Sequence, residues 1–349
     1  MSDESSEIRL RIKRGITALL LGIFLMAGVA VAQDCGGYND TIVFGEQDWD
    51  SAQVHNAIAR HILEEGFGCR TSIIPGSTIP MQQGTIRGDI DVLMEVWMDN
   101  IPDFLPPALE SGQIVNLGIN YGDGQQGFFV PRYVIEGDSE RGIDPIAPDL
   151  VSVADIGQYS EHFRDPEQPD KGRFYNCIIG WVCEEINTAK LEAYGISDEF
   201  TNFRPGTGIA LSTSMEGSYL RGEPWFGYYW GPTWVLGKLD MVQLEEPEYT
   251  EECWEHLTNM DDPEQACAYP ASVVTIMVNG EFAENVSPDL LEFLSNYNTT
   301  SGQVSGLLAY MQETDALPED AAQYFLETET DVWTQWLPEE VAERVQDSL

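Results

Sequence analysis

Positive charge is scarce in this chain of 349 residues. It carries 17 Lys and Arg against 59 Asp and Glu, which gives a formal net charge of −42 at pH 7. A surface of that sign repels nucleic acid and anionic lipid, so the sequence predicts neither as a partner. The hydrophobic fraction is nevertheless 43%, which indicates a folded globule rather than an acidic disordered chain.

Long apolar runs are absent after residue 32. Before it, four basic residues within 9–14 precede an apolar run over 15–32 that ends in Ala-Val-Ala. This pattern is typical of a cleavable secretory signal, although a run of this length could also just span a bilayer as an anchor. Asp34 stands before Cys35 where a lipoprotein would need a small residue. We therefore expect a signal peptide over 1–32 and a periplasmic protein.

Motifs of hydrolases and zinc sites are also missing. The sequence contains no C-x-x-C, G-x-S-x-G or H-E-x-x-H, and its four histidines are scattered. We therefore predict no enzyme, no metal and no cofactor. The six cysteines predict disulfides in an exported chain, with zinc as the alternative. Pairing of neighbours along the chain links Cys35 with Cys69, Cys177 with Cys183, and Cys253 with Cys267.

Predicted strands and helices alternate along most of the chain, which indicates an α/β fold. Extended segments are predicted at 41–44, 73–74, 90–97, 114–119, 126–135 and 272–279, and a strand followed by a tight turn is predicted at 173–183. Helices are predicted from about 54 to 66, at 78–87, 101–111, 152–159, 184–194 and 208–221, and in the C-terminal region at 289–297, 301–313, 318–328 and 329–347. Asp50 or Ser51 is the expected cap of the first helix, and 245–270 is expected to be irregular.

The stretch 225–234 is unusually aromatic, since six of its ten residues are Trp, Tyr or Phe. Gly227, Gly231 and Pro232 interrupt it. One interpretation is a strand with an aromatic core; the other is a surface that stacks on a ligand. Further Trp-centred motifs occur at 48–51, 95–100 and 180–181, and their recurrence favours the ligand.

Trp49, Trp97 and Trp230 each follow or end a predicted strand. Ligands of open α/β sheets bind beyond the carboxyl ends of the strands, so these rings are predicted to share one site. Converging ring faces suit a quaternary ammonium, which has no N–H to donate, and each contributes about 0.5–2 kcal/mol. Nearby carboxylates that could add attraction are Asp50, Glu46 and Glu95, although each could instead be a cap or a solvated charge.

A ligand that also carries a carboxylate needs donors at its other end. Helix N-termini supply such donors through free backbone N–H groups. The turns at 180–182 and 206–208 both precede predicted helices. Arg132 or Arg204 could assist, although surface arginines usually face water.

Several motifs together resemble the glycine betaine family of periplasmic binding proteins, the ligand-capturing parts of ABC importers. They are W-D-S within 45–51, G-D-I-D-V and E-V-W-M within 88–98, V-P-R-Y-V at 130–134, and Y-W-G-P-T-W at 229–234 followed by L-E-E-P. The resemblance implies two α/β lobes joined by two crossings, with glycine betaine, proline betaine or choline bound in the cleft between them. It also implies an inner-membrane permease as the partner.

The resemblance assigns Trp49, Trp97 and Trp230 as walls of an aromatic box and Tyr133 as a fourth wall. Trp181, Tyr229 and the carboxylate of Asp50 are further candidates. Lobe 1 would comprise 33–131 and 237–349 with the C-terminal helices, and lobe 2 would comprise 132–236.

The loop at 179–183 departs from the family pattern, because it is bracketed by cysteines and carries Trp181. The extra ring implies a tighter box. Trimethylamine N-oxide, choline or a sulfonium solute is therefore an alternative to glycine betaine. An exported carbohydrate-binding protein is the remaining alternative, although a sugar site normally adds many polar side chains.

Overall fold

The computed structural model describes Cys35 and residues 41–99, 101–259 and 265–349. The predicted signal peptide lies outside these residues. Strands of the described chain are β1 (Ile42–Gln47), β2 (Thr71–Gly76), β3 (Val92–Trp97), β4 (Ile114–Pro131), β5 (Gly172–Tyr175), β6 (Phe200–Phe203), β7 (Gly227–Gly231), β8 (Met241–Gln243) and β9 (Ser272–Asn279). They form one mixed sheet in the order β2-β1-β3-β9-β4-β7-β5-β6, with β8 also paired to β4.

Helices precede, follow and connect these strands. They are α1 (Asp50–His61, continued by a π-turn over Ile62–Gly66), α2 (Thr78–Arg87), α3 (Leu105–Glu110), α4 (Arg132–Glu136), a 3-10 helix (Val153–Phe163), α5 (Val182–Ala193), α6 (Gly208–Arg221), α7 (Trp234–Lys238), α8 (Glu251–Asn259), α9 (Gly280–Asn285), α10 (Pro288–Asn296), α11 (Ser301–Thr314), α12 (Pro318–Thr328), α13 (Thr330–Trp333), a 3-10 turn (Thr334–Trp336) and α14 (Glu339–Ser348). Within the described residues, no helix has the length and apolar character needed to cross a bilayer.

Strand β4 is shared by both ends of the sheet. Its first part pairs antiparallel with β9 between Ile114 and Gly124. Its second part pairs with β7 between Gln125 and Phe129, and with β8 from Phe129 to Pro131. The register to β9 shifts repeatedly before residue 124, and such irregularities bend a strand. One strand of 18 residues therefore connects two differently oriented parts of the sheet.

The buried apolar side chains form two large clusters. The first draws mainly on 128–269, with Trp49 and Ala52 added. The second joins 42–94 to 274–345, and within it α12 packs on α1 and α14 packs on the π-turn that ends at Gly66. A smaller cluster includes side chains of α2, α3 and β3. The N-terminal and C-terminal segments therefore build a common core, while the middle of the chain builds its own.

Most predicted elements are confirmed, and the exceptions have local causes. The extended segment predicted over 126–135 ends at Pro131, where α4 begins. The region 245–270, predicted to be irregular, contains α8. The last helix, predicted over 329–347, is interrupted before Pro338, which has no amide hydrogen with which to continue a helix. Trp49 occupies the N-cap of α1 without a side-chain cap bond, so the capping prediction for Asp50 and Ser51 is wrong.

The three predicted disulfides are all present. Cys35 pairs with Cys69, Cys177 with Cys183, and Cys253 with Cys267. No free cysteine remains among the described residues, so the zinc alternative is excluded for these side chains. The bridge between Cys177 and Cys183 ties the loop before α5 to the first turn of that helix.

Candidate functional site

Four tryptophans from separate elements surround one cavity. Trp97 ends β3 and Trp230 lies in β7, while Trp49 and Trp181 are the N-cap residues of α1 and α5. The cavity is lined by Trp49, Thr78, Glu95, Trp97, Gln126, Trp181, Val182, Cys183, Tyr228 and Trp230. It holds about 440 Å³ of free space, part of which is open to solvent.

Trp181 is the central ring of this aromatic cavity. Its ring meets Trp49 edge to face at 5.4 Å and Trp230 edge to face at 5.1 Å between centroids. Tyr228 extends the wall, stacked with Trp230 at 6.2 Å. Edge-to-face contacts set neighbouring rings at right angles. The indoles therefore hold one another in different orientations around the space that they enclose.

A buried carboxylate fixes two of these indoles. Glu95 accepts hydrogen bonds at Oε2 from Trp49 Nε1 at 2.7 Å and from Trp97 Nε1 at 3.3 Å. Its side chain is fully buried, yet the residue also lines the cavity. Burial raises the pKa of Glu95, and the hydrogen bonds donated by the two indoles and by the hydroxyls of Ser51 and Tyr121 act in the opposite direction.

His55 lies behind Glu95 and away from solvent. Its Nε2 is 3.6 Å from Glu95 Oε1, and its Nδ1 is 2.7 Å from the hydroxyl oxygen of Tyr297. Burial lowers the pKa of His55 to about 3. The ring is therefore neutral at pH 7, and its contact with Glu95 is not an ion pair.

The third fixed indole is Trp181. Its Nε1 donates to Asp48 Oδ1 at 2.8 Å. Burial raises the pKa of Asp48, and the bond from Trp181 opposes that rise. Gly208, at the start of α6, packs against this ring; a Cβ atom there would lie 3.2 Å from the indole and 3.1 Å from the Asp48 carbonyl oxygen. A residue without a side chain is what lets α6 approach Trp181 so closely.

A polar cluster forms the opposite side of the cavity. Tyr228 donates its hydroxyl hydrogen to Gln126 Oε1, and Gln126 Nε2 donates to Asp99 and, at 2.8 Å, to Ser272 Oγ. Burial raises the pKa of Asp99 to about 6. The cluster joins β4, β7 and β9 at the point where β4 changes partners.

Two of the predicted residues lie beside the aromatic cavity. Asp50 and Tyr229 line a neighbouring cavity on another side of Trp49 and Trp230. Burial raises the pKa of Asp50. Tyr229 stacks on Trp230 at 4.7 Å, so it supports a wall of the aromatic cavity and does not line it.

Tyr133 is not brought to the cavity. It lies in α4, and its buried hydroxyl donates to the Glu223 carbonyl oxygen at 2.6 Å. The ring packs against Tyr219 at 5.4 Å and under Arg141. Tyr133 belongs to the segment 126–135 that the sequence predicts to be extended. Helix formation after Pro131 instead buries its ring in the first cluster.

Sequence reasoning missed Tyr228, Gln126 and Thr78 as lining residues. Tyr228 could have been found from strand periodicity, since it and Trp230 are two residues apart and point to one face of β7 while Tyr229 points to the other. Gln126 and Thr78 carry no comparable signal. Their role depends on which strands pair with β4 and on where α2 begins.

Residues 40–328 match the profile of one protein family, described as the substrate binding domain of the ABC-type glycine betaine transport system. The chain belongs to this family. The resemblance noted from the Trp-centred motifs is thereby confirmed. Among curated relatives of the chain is the glycine betaine-binding periplasmic protein OusX of Dickeya dadantii (strain 3937), 22% identical over 204 residues. That alignment covers 57% of this chain and 58% of OusX, so the chain matches a little over half of that relative's length.

Solved structures confirm the predicted fold, which is α/β with the two lobes of periplasmic binding proteins. A choline binding protein of an ABC transporter, in complex with choline, has a TM-score of 0.69 at 15% identity, with 90% of this chain and 98% of that chain covered. The glycine betaine/L-proline-binding protein ProX of Borrelia burgdorferi has a TM-score of 0.66 at 18% identity, with 88% of this chain and 100% of that chain covered. At identities this low, these structures establish only the fold of the chain.

Proposed function

We propose that this protein is the exported binding component of an ABC importer and that it captures a quaternary ammonium solute such as glycine betaine. The observation that carries the proposal is the convergence of four indoles on one cavity that also contains a buried carboxylate. Three or four ring faces, at about 0.5–2 kcal/mol each, would supply several kcal/mol toward binding a methylated cation. Micromolar affinity corresponds to about 8 kcal/mol net of the cost of association, so apolar burial and the carboxylate must contribute beside the ring faces.

The carboxylate of glycine betaine would bind at the start of α5. Val182 and Cys183 line the cavity and belong to the first turn of that helix, whose backbone N–H groups have no partner within the helix. Thr78 brings the first turn of α2 to the same cavity. With such donors opposite the indoles, a zwitterion would bind more tightly than choline. Without them, choline, trimethylamine N-oxide and sulfonium solutes would bind comparably.

The two lobes would close on the ligand about crossings next to the site. We place the first crossing in β4, close to the predicted boundary at residue 131. We place the second after Tyr269 rather than at residue 236, because Tyr269 packs in the first cluster and β8 pairs with β4. Periplasmic location through a cleaved signal peptide, and delivery to an inner-membrane permease, complete the proposed role.

Calorimetric titration tests the function directly. Purified protein is titrated with glycine betaine, choline, trimethylamine N-oxide, a sulfonium betaine and, as a neutral ring-stacking ligand, glucose. Micromolar binding of the methylated cations without glucose binding is the expected result. Binding of glucose alone would replace the proposal with a carbohydrate function. Solution scattering on the same samples should show a smaller radius of gyration with the bound cation.

A further inference from the structure

Glu95 lacks the ion pair that two other buried carboxylates have. Glu246 is paired with the buried Lys190 at 2.5 Å, and Asp165 is paired with Arg173 at 2.7 Å. Among the described residues, the only cationisable side chain within 4 Å of the Glu95 carboxylate is His55, which is neutral at pH 7. Glu95 therefore has hydrogen-bond donors and no countercharge.

The hydrogen-bond donors around Glu95 favour the carboxylate over the carboxylic acid, whereas burial favours the acid. Trp49 and Trp97 can only donate, since an indole N–H has no acceptor capacity. Both donate to Oε2, and the hydroxyls of Ser51 and Tyr121 also donate to this carboxylate. His55 Nε2, 3.6 Å from Oε1, is a buried atom with no hydrogen-bond partner. A buried anion in this state is costly unless an opposite charge approaches it.

Glu95 is one of the residues that line the aromatic cavity, although its side chain has no exposed surface. We propose that Glu95 is the specificity-determining residue of this cavity: its carboxylate holds Trp49 and Trp97 by their N–H groups and takes the positive charge of the ligand as its missing countercharge. The assignment rests on the proposed function and deepens it, since it names the ligand class as solutes that carry a full positive charge. Neutral molecules of the same shape would leave the carboxylate unpaired.

The shape of the ligand and its charge can be separated with carbon isosteres. 3,3-Dimethylbutan-1-ol has the outline of choline with carbon in place of the charged nitrogen, and 3,3-dimethylbutanoate has that of glycine betaine. The dissociation constant of each member of both pairs is measured for the wild-type protein, for Glu95→Gln and for Glu95→Asp. Glu110→Gln, on the exposed end of α3, is the control for a lost charge far from the cavity.

Glu95→Gln should weaken binding of the cations by roughly 10- to 100-fold, as expected for one charge at contact distance in a partly desolvated site, and should leave the isosteres unchanged. Glu95→Asp should keep the preference for cation over isostere even where both affinities fall, and Glu110→Gln should match the wild type. Melting of the unliganded proteins identifies any variant that is unfolded. If Glu95→Gln is unfolded, the ratio of cation affinity to isostere affinity in Glu95→Asp decides the test.

Two results would overturn the assignment. Equal losses for cation and isostere in Glu95→Gln would mean that Glu95 only orients the indoles. An unchanged cation affinity would mean that its charge is not used. A wild-type protein that bound neither cation would instead refute the proposed function itself.

Discussion

Replacing Trp230 tests whether its ring binds the ligand or only packs against its neighbours. The side chain is 7% exposed, lines the aromatic cavity, and contacts Trp181 and Tyr229 through its ring. If its face holds a cation, the loss in Trp230→Ala is one desolvated cation–π contact of about 2 kcal/mol, which corresponds to roughly 30-fold in affinity. Trp230→Phe keeps a smaller ring and should lose about fivefold, whereas Trp230→Leu restores apolar area without a negative face and should resemble Ala.

Stability must be measured beside affinity, because a buried Trp also packs. Trp230→Ala is expected to lower the free energy of unfolding by about 3–5 kcal/mol. Trp225 is the matched control: it lies in the same aromatic stretch, is 1% exposed, stacks on Tyr175 at 5.5 Å and donates to Ser214 Oγ at 3.0 Å. Trp225→Phe and Trp225→Leu should lower stability and leave affinity unchanged.

The assay is calorimetric titration with glycine betaine at a temperature where every variant is folded, with urea unfolding of the unliganded proteins. Phe and Leu variants of equal affinity at Trp230 would refute the cation–π role, because only the quadrupole distinguishes them. An unchanged affinity in Trp230→Ala would remove this ring from the site.

Three further changes test the supports of the cavity. Gly208→Ala should push the Trp181 ring by a few tenths of an ångström and weaken binding about 3- to 10-fold. Gly206→Ala is the control, because a Cβ atom there meets open space, and it should leave binding unchanged. Equal effects of the two substitutions would refute the close packing of Gly208 on Trp181. Serine at both Cys177 and Cys183 should cost about 2 kcal/mol of stability for a bridge that spans 6 residues and weaken binding. Serine at Cys253 and Cys267 should cost about 3 kcal/mol for 14 residues without that loss of affinity. Burial raises the pKa of Asp99 from 3.8 to about 6, so the folded state binds the carboxyl proton more tightly than the unfolded state does. The free energy of unfolding should therefore fall by roughly 1–3 kcal/mol as pH rises from about 4 to 6. Asp99→Asn should therefore be more stable than the wild type at pH 7 and lose that advantage toward pH 4 in urea unfolding, while the exposed Asp198→Asn should follow the wild type throughout.

The parts of the fold that the sequence predicted depend on local signals. Strand β9 and helices α2, α6, α11 and α12 follow from apolar periodicity and from terminal Gly or Pro, which act within a few residues. The disulfides followed from proximity along the chain. The double partnership of β4 could not be predicted, since it depends on β9 and β7, which lie about 100 residues or more further along the chain and leave no periodic trace in 114–131.

The residues of the candidate site also differ in whether a local sequence signal indicates them. Trp beside a strand end or a helix start is a strong local feature, and the structure brings Trp49, Trp97, Trp181 and Trp230 to one cavity; their role in binding a ligand stays a prediction. Glu95 appeared as one of several carboxylates, and the residue that singles it out, the neutral His55 behind it, comes from α1 on the far side of the site. Tyr133 lies away from the aromatic cavity because the chain turns helical after Pro131, and no local signal in 126–135 indicates that turn.

The common core of the two chain ends also constrains when this protein can fold. Val92 of β3 pairs with Val278 of β9, and Arg344 of α14 donates to the Gly66 carbonyl oxygen at 2.6 Å. Contacts of such sequence separation form late, because the entropy of closing long loops must be overcome first. Residues 42–94 must therefore wait for residues 274–345, while 128–269 can collapse earlier. Under the export that we propose, the leading segment would stay unfolded until nearly the whole polypeptide has crossed the membrane.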